Sequence, residues 1–194
     1  MTHAQKVLLR QAALERRGEI DDTARAEGAL HFKTNFLTEI QLKKGMVIAG
    51  YWPLKQELDV MPLLHELLDL GYTCALPHVV QAEAPLVFRA WNKDTVMVEG
   101  TYGMMEPDAT AEEVTPDLLI VPVVAFDPSG HRLGYGAGYY DMTFGKLSAD
   151  GRKYLAVGAA FDQQCFDVVP AEAHDVHMNV IVTDKRIYKV EPSL

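Results

Sequence analysis

Residues 116 to 126 read "PDLLIVPVVAF", and residues 127 to 141 read "DPSGHRLGYGAGYYD". The first stretch is apolar almost without a break. A strand with no polar face must run through the middle of a sheet covered on both sides, the usual setting of parallel strands flanked by helices. The second stretch has glycines at alternate positions, Gly134, Gly136 and Gly138, and leads into a predicted helix from Asp141 to Leu147. Open α/β sheets place their ligands in loops of this kind, between the carboxyl end of a central strand and the following helix.

The remaining periodicities agree with that architecture. Helices are predicted over residues 3 to 19, from Asp21 and Asp22 to about Leu42, and from Asp59 to Gly71 with Pro62 in the first turn. Between and after them, "MVIAGYW", "YTCALPHV", "LVFRAW", "YLAVGAAF" and "NVIVTD" read as strands. Strands alternating with helices predict an α/β fold with three αβα layers around a central, mostly parallel sheet, mixed at one edge. With 194 residues, of which 48% are hydrophobic, residues 1 to 194 are expected to form a single domain.

Composition narrows the function. Eighteen Lys and Arg against 27 Asp and Glu leave a net charge of -9, which argues against an extended nucleic-acid surface. An anionic ligand must therefore be held by a local cluster of cations and amides. Cys74 and Cys165 lie far apart and form no metal-type pair, as expected of a reduced, cytoplasmic chain, and Cys74 is expected in the core. The charged N-terminus does not resemble a signal peptide, and no apolar run is long enough to span a membrane. A monomer is expected.

The glycine stretch is neither of the common nucleotide loops. Tyr139 stands where a dinucleotide fingerprint needs its third glycine, and no Gly-Lys-Ser or Gly-Lys-Thr occurs in the chain. What remains is a loop of free N–H groups, flanked by His131 and Arg132, that opens a helix whose positive end favours anions. The alternative is a tight turn and nothing more. Asp141 reads either as a favourable charge in the first helical turn or as an oxygen ligand for Mg²⁺ beside a phosphate. Of Tyr139 and Tyr140, one ring is expected in the core and the other free to stack on a heterocycle. His174, Asp175 and His177 lack a third nitrogen or sulfur ligand, so zinc is not expected there, while Asp175 is a second candidate oxygen ligand for magnesium. Asp59 reads as a helix cap, which leaves Glu57 free to accept hydrogen bonds from a ligand.

Taken together, "KVLLR" at 6 to 10, "ELD" at 57 to 59, "YGMMEP" at 102 to 107, the stretch from Asp117 to Asp141 and "HDVHMNVIVTD" at 174 to 184 resemble the 5-formyltetrahydrofolate cyclo-ligase family. The resemblance implies a fold like that of ribose-phosphate isomerases and CoA transferases. It implies ATP and Mg²⁺ as cofactors, and conversion of 5-formyltetrahydrofolate to 5,10-methenyltetrahydrofolate with release of ADP and phosphate. In that family the formyl oxygen is thought to be phosphorylated before a neighbouring folate nitrogen attacks the carbon. By position, Lys6 and Arg10 resemble ATP contacts, followed by Gly130, His131, Arg132, Leu133, Gly134, Tyr135, Gly136, Ala137, Gly138 and Tyr139 of the loop. The folate side is implied to use Arg10, Glu57, Tyr102, Gly136, Gly138, Tyr139 and Tyr140. Asp141 and Asp175 match the magnesium ligands, and Arg132, Tyr140 and Asp141 are implied to be catalytic.

The chain departs from the family at several positions. Tyr135, Ala137 and Met142 stand where some relatives carry cations, so His131, Arg132, Lys146 or Arg152 is the expected replacement. Asn179 stands where an aspartate is frequent and is not expected to bind metal. The missing loop cations motivate an alternative function, a catalytically silent relative that binds folate or nucleotide in a regulatory or buffering role. A sugar-phosphate isomerase or CoA transferase would rest on fold analogy alone.

Overall fold

A computed structural model describes residues 3 to 172 and 175 to 190, except for the side chains of His3 and Tyr102. Two helices come first, α1 (His3–Gly18) and α2 (Asp22–Glu39). Asp21 caps α2 by accepting the Ala24 N–H at 2.8 Å, and the helix stops short of the predicted Leu42 because Ile40 is already extended. Strand β1 (Val47–Ala49) and helix α3 (Met61–Asp69) follow. Asp59 accepts the Met61 N–H at 2.8 Å from just outside α3, whose own cap position is Val60. Then come β2 (Thr73–His78), β3 (Val87–Trp91), the paired β4 (Met97–Glu99) and β5 (Met105–Pro107), and the short β6 (Glu113–Val114).

The apolar run supplies β7 (Leu118–Pro122) and, after a break, β8 (Ala125–Phe126), which pairs with β9 (Arg132–Leu133). Helix α4 (Tyr139–Ala149), β10 (Leu155–Ala160), β11 (Val180–Thr183) and β12 (Ile187–Lys189) complete the chain. The main sheet has the order β12-β11-β10-β7-β1-β2-β3-β6. Its centre, from β11 to β2, is parallel. Both edges are antiparallel, not one as predicted: β12 runs against β11, and β3 runs against both β2 and β6.

The period of two along β7 builds the layers. Leu118 and Ile120 join Phe32 and Phe36 of α2 and Leu63, Leu64 and Leu67 of α3 on one face. Leu119 and Val121 join Phe144 and Leu147 of α4 on the other. Helix α1 packs elsewhere: Leu9, Ala13 and Leu14 lie against Val124, Ala125 and Leu133 of the β8–β9 hairpin, just past the carboxyl end of β7. Three αβα layers with a mostly parallel sheet are therefore present as predicted, and Cys74 is in the core.

The predicted single strand over 116 to 126 is in fact two, because the chain changes partners at its middle. Val123 N–H still donates to Ala159 of β10 at 3.2 Å, whereas Val124 N–H donates to Leu133 of the hairpin at 2.8 Å. The buried Gln164 side chain holds this bend, donating to the carbonyls of Val123 at 2.6 Å and Val124 at 2.8 Å while accepting the Phe161 N–H at 2.9 Å. A Gln164→Leu variant would strand two carbonyls and one N–H in the interior. It is expected to lose about 2 to 4 kcal/mol of stability, read in urea as a lower midpoint with an unchanged slope.

Candidate functional site

The hairpin that follows β7 is organised by Asp127, which is 3% exposed. Its carboxylate accepts the N–H groups of Ser129 at 2.9 Å, His131 at 3.2 Å and Val169 at 2.8 Å, and lies 3.0 Å from His131 Nδ1. Gly130 has φ +87, and a Cβ there would sit 2.5 Å from Val190 and 2.9 Å from the Met178 carbonyl. Gly130 and Leu133 thus serve the packing of the hairpin. The segment 175 to 178 runs beside it. The Met178 N–H donates to Gly130 O at 2.9 Å, and the His177 ring lies 4.2 Å from that of His131.

Beyond the hairpin the chain is exposed from Tyr135 to Gly138. Gly136 (φ +106) and Gly138 (φ +71) occupy the left-handed region, and Gly138 is the residue before α4. Gly134 does not, and a Cβ on it would meet nothing within 4 Å. Among the described residues neither backbone conformation nor packing calls for a glycine at 134, which leaves room for a group approaching the loop from solvent. Arg10 of α1 covers this loop, with Nε donating to Gly134 O at 2.8 Å and Nη2 3.4 Å from where a Cβ of residue 136 would stand.

Both candidate metal carboxylates are near the hairpin and each has a cation. Asp141 Oδ1 accepts from Arg132 at 2.8 Å and from the Val176 N–H at 3.2 Å, and Arg132 also donates to the Val176 carbonyl. Asp175 pairs with Lys6 at 2.9 Å, and Glu172 reaches the same Nζ at 3.0 Å. Burial pushes the Lys6 ammonium down, but its hydrogen bonds and charge contacts with Asp175 and Glu172 outweigh this and hold it above its ordinary value. Among the described residues no cluster of three or more His, Cys, Asp or Glu side chains forms a metal cage. A magnesium ion arriving on phosphates needs only about one or two protein carboxylates. Asp141 and Asp175 fit that requirement.

The third part of the site lies under Tyr135. Glu57 is 8% exposed, and its Oε2 accepts the Leu54 N–H at 2.7 Å. Arg17, at 4% exposure, donates to the Tyr135 hydroxyl at 2.8 Å. Burial raises the Glu57 carboxyl, opposed by the Leu54 N–H, the Arg17 charge and a hydrogen bond from Tyr135. Tyr140 turns its ring toward Phe144, and its buried hydroxyl has no hydrogen-bond partner among the described residues.

Several expectations are redrawn. Lys146 does not serve the loop tip: it pairs with Asp150 at 2.9 Å and, with Arg152, lines a groove against Leu86, Phe88 and Pro116. Arg10 and Arg17 lie on the loop instead. Arg17 was legible as a continuation of the Lys6–Arg10 stripe down α1, but nothing in the sequence marked it as buried. Asp127 gave no signal beyond its place at the strand end. Asn179 is structural, its Oδ1 accepting the Ala156 N–H at 2.8 Å. His174 and the Tyr102 side chain lie outside the described residues.

A mostly parallel α/β sheet, with a glycine loop and a helix start beyond its central strand and cations from a neighbouring helix, defines an α/β protein of enzyme-like architecture. The sequence matches the 5-formyltetrahydrofolate cyclo-ligase family over residues 2 to 184. A 5-formyltetrahydrofolate cyclo-ligase of Mycolicibacterium smegmatis is 32% identical, covering 96% of this chain and 97% of that one. One from Escherichia coli is 28% identical over 90% and 98%. The solved 5,10-methenyltetrahydrofolate synthetase of Aquifex aeolicus superposes with a TM-score of 0.83 at 31% identity, covering 97% of this chain and 94% of that chain. The chain belongs to the 5-formyltetrahydrofolate cyclo-ligase family.

Gly134→Ala separates ligand approach from folding. Because a Cβ at 134 meets nothing within 4 Å among the described residues, stability should change by less than about 0.5 kcal/mol. Calorimetric titration with a non-hydrolysable ATP analogue and magnesium is expected to show binding weakened about tenfold or more. Unaltered binding would leave the glycines with a turn-making role only.

Proposed function

We propose that this chain closes 5-formyltetrahydrofolate to 5,10-methenyltetrahydrofolate at the cost of ATP, releasing ADP and phosphate. The observation that supports it most strongly is the family match over residues 2 to 184. The geometry distributes the work. The N–H groups of the glycine loop, which is exposed from Tyr135 to Gly138, and the start of α4 are suited to phosphate oxygens, with Arg10 across the loop. Lys6 and Arg132 already neutralise Asp175 and Asp141, which lets two aspartates stay close to an anion site before any metal arrives. Asp141 and Asp175 would hold magnesium, which would neutralise charge on the phosphates.

Glu57 supplies an acceptor for ring N–H groups of a reduced folate, and the unpartnered Tyr140 hydroxyl a donor or acceptor. In the reaction the formyl oxygen takes the phosphoryl group, the neighbouring folate nitrogen bonds to the formyl carbon, and that oxygen leaves with phosphate. Arg132 and Asp141 would hold charge near the transferring group, and Tyr140 would orient the folate. Positioning and charge neutralisation suffice for such a transfer, without a covalent nucleophile on the protein.

Purified protein given MgATP and 5-formyltetrahydrofolate should develop the methenyl chromophore, and omitting either substrate should abolish it. Lack of product under all conditions would favour a folate- or nucleotide-binding relative without turnover. Arg10→Ala removes a charge-assisted contact worth about 1.5 to 3 kcal/mol, so KM for ATP should rise about tenfold to a hundredfold with little change in Tm. Asp141→Asn should raise the magnesium concentration needed for half-maximal turnover. It should also lower Tm, because the nearly buried Arg132 guanidinium loses its counter-charge. Ordinary magnesium dependence in this variant would remove Asp141 from the metal site.

A further inference from the structure

One buried carboxylate lies apart from the glycine loop and the residues around it. Glu106, the middle residue of β5, is 5% exposed. Its Oε1 lies 3.0 Å from His78 Nδ1, and its Oε2 accepts the Val79 N–H at 3.3 Å. The His78 nitrogen is buried and makes no aligned hydrogen bond among the described residues, so the contact holds only with a proton on one of the two groups. On the other side of the acid is Gly100. A Cβ there would stand 2.2 Å from Glu106 Cδ and Oε1, although the Gly100 backbone, at φ -102, is one that any residue adopts. Position 100 is a glycine because the Glu106 acid fills its side-chain space.

Gly100 and Met104 bracket the 3₁₀ turn Thr101–Gly103, which is closed by the Gly100 N–H donating to Met104 O at 2.8 Å. We propose that Glu106 and His78 are positioning residues that seat this turn, and with it Tyr102, on the folate side of the site. The proposal rests on the reading of Tyr102 as a folate contact.

The turn is in the right place for this. Strand β2 runs parallel to β1, and β1 to β7, so His78 and Val79 leave the sheet at the same end as the hairpin and glycine loop. Val79 and Met104 pack in the same apolar cluster as Tyr139, Tyr140 and Phe144 of α4. The chain beyond β2 is tied to that helix as well: the Leu86 N–H donates to Thr143 Oγ1 at 2.9 Å, and Thr143 Oγ1 donates to Tyr139 O at 2.7 Å. The open end of the β4–β5 hairpin has its own fastenings, Arg89 of β3 donating to Pro107 O at 2.9 Å and the Asp108 N–H donating to Val96 O at 3.0 Å. Its turn end is joined to β2 through Glu106. Apolar side chains of similar size would hold the two elements together about as firmly. An acid set between a ring nitrogen, an N–H and a glycine adds one defined position for the turn.

The test begins without ligand. In Glu106→Ala the Gly100 and Met104 amides, both bonded within the turn, should exchange with deuterium about tenfold faster, while amides of β7 keep their rates. At saturating MgATP the same variant should raise KM for 5-formyltetrahydrofolate about tenfold or more, with the Kd of a non-hydrolysable ATP analogue within about twofold of the parent. Glu106→Gln keeps the shape and an acceptor, and should recover most of the loss. Gly100→Ala drives a methyl group into the acid: it should raise the folate KM in the parent, yet add less than about twofold to Glu106→Ala, where the acid is already gone. Should Glu106→Ala fail to fold, His78→Leu and Gly100→Ala carry the same two readouts. Unchanged exchange in the turn overturns the proposal, as does an equal loss of folate and nucleotide binding, the mark of a general structural fault. A folate KM indifferent to Tyr102→Ala overturns the folate reading of the turn, and the proposal with it.

Discussion

The site depends on one buried carboxylate. Where the central strand leaves the sheet, Asp127 gathers N–H groups from Ser129, His131 and Val169 and the ring of His131, and is itself nearly inaccessible. A buried carboxylate costs several kcal/mol unless such donors surround it. The same bonds that make it tolerable define the hairpin, and the hairpin delivers the glycine loop. Its outer side then carries the rest: Arg132 reaches Asp141 and Val176, Gly130 receives Met178, and α1 lies on Leu133.

Electrostatics follow from that placement. The chain carries a net charge of -9, so a polyanion meets repulsion over most of its surface. Around the loop the balance is local. Lys6 and Arg132 are matched by carboxylates, whereas Arg10 is held by a carbonyl and Arg17 by a hydroxyl. Arg10 therefore brings its positive charge to the exposed glycines, and Arg17 brings its own to the buried Glu57 beneath them.

How much of this was legible in the sequence depended on range. The two-residue alternation in "DLLIV" and the capping Asp21 are local signals, and both the sheet layers and the start of α2 follow from them. The exit of the strand is not local. Nothing in "PVVAF" shows that Val124 will pair with Leu133, because that choice is enforced by Gln164, some 40 residues away in the chain. The candidate residues Lys6, Arg10, Glu57, Asp141 and Asp175 came through resemblance and spacing, and the fold brings Lys6 to Asp175 and Arg10 to Gly134. Arg17 was missed because a basic residue in the last turn of a charged helix has an ordinary explanation in the helix dipole. Only the tertiary structure shows that it is buried beneath Tyr135. Short edge strands such as β12 lack enough residues for a period to show.

The central claim is that the exposed amides from Gly134 to Gly138 receive phosphate. Amide chemical shifts measure this directly in ¹⁵N-labelled protein titrated with magnesium and a non-hydrolysable ATP analogue. The account predicts that the largest shifts fall on Gly134, Gly136 and Gly138 and on the first turn of α4, with the Arg10 side-chain Nε–H moving at the same ligand concentration. Saturable binding that leaves those resonances in place and shifts amides elsewhere would contradict it.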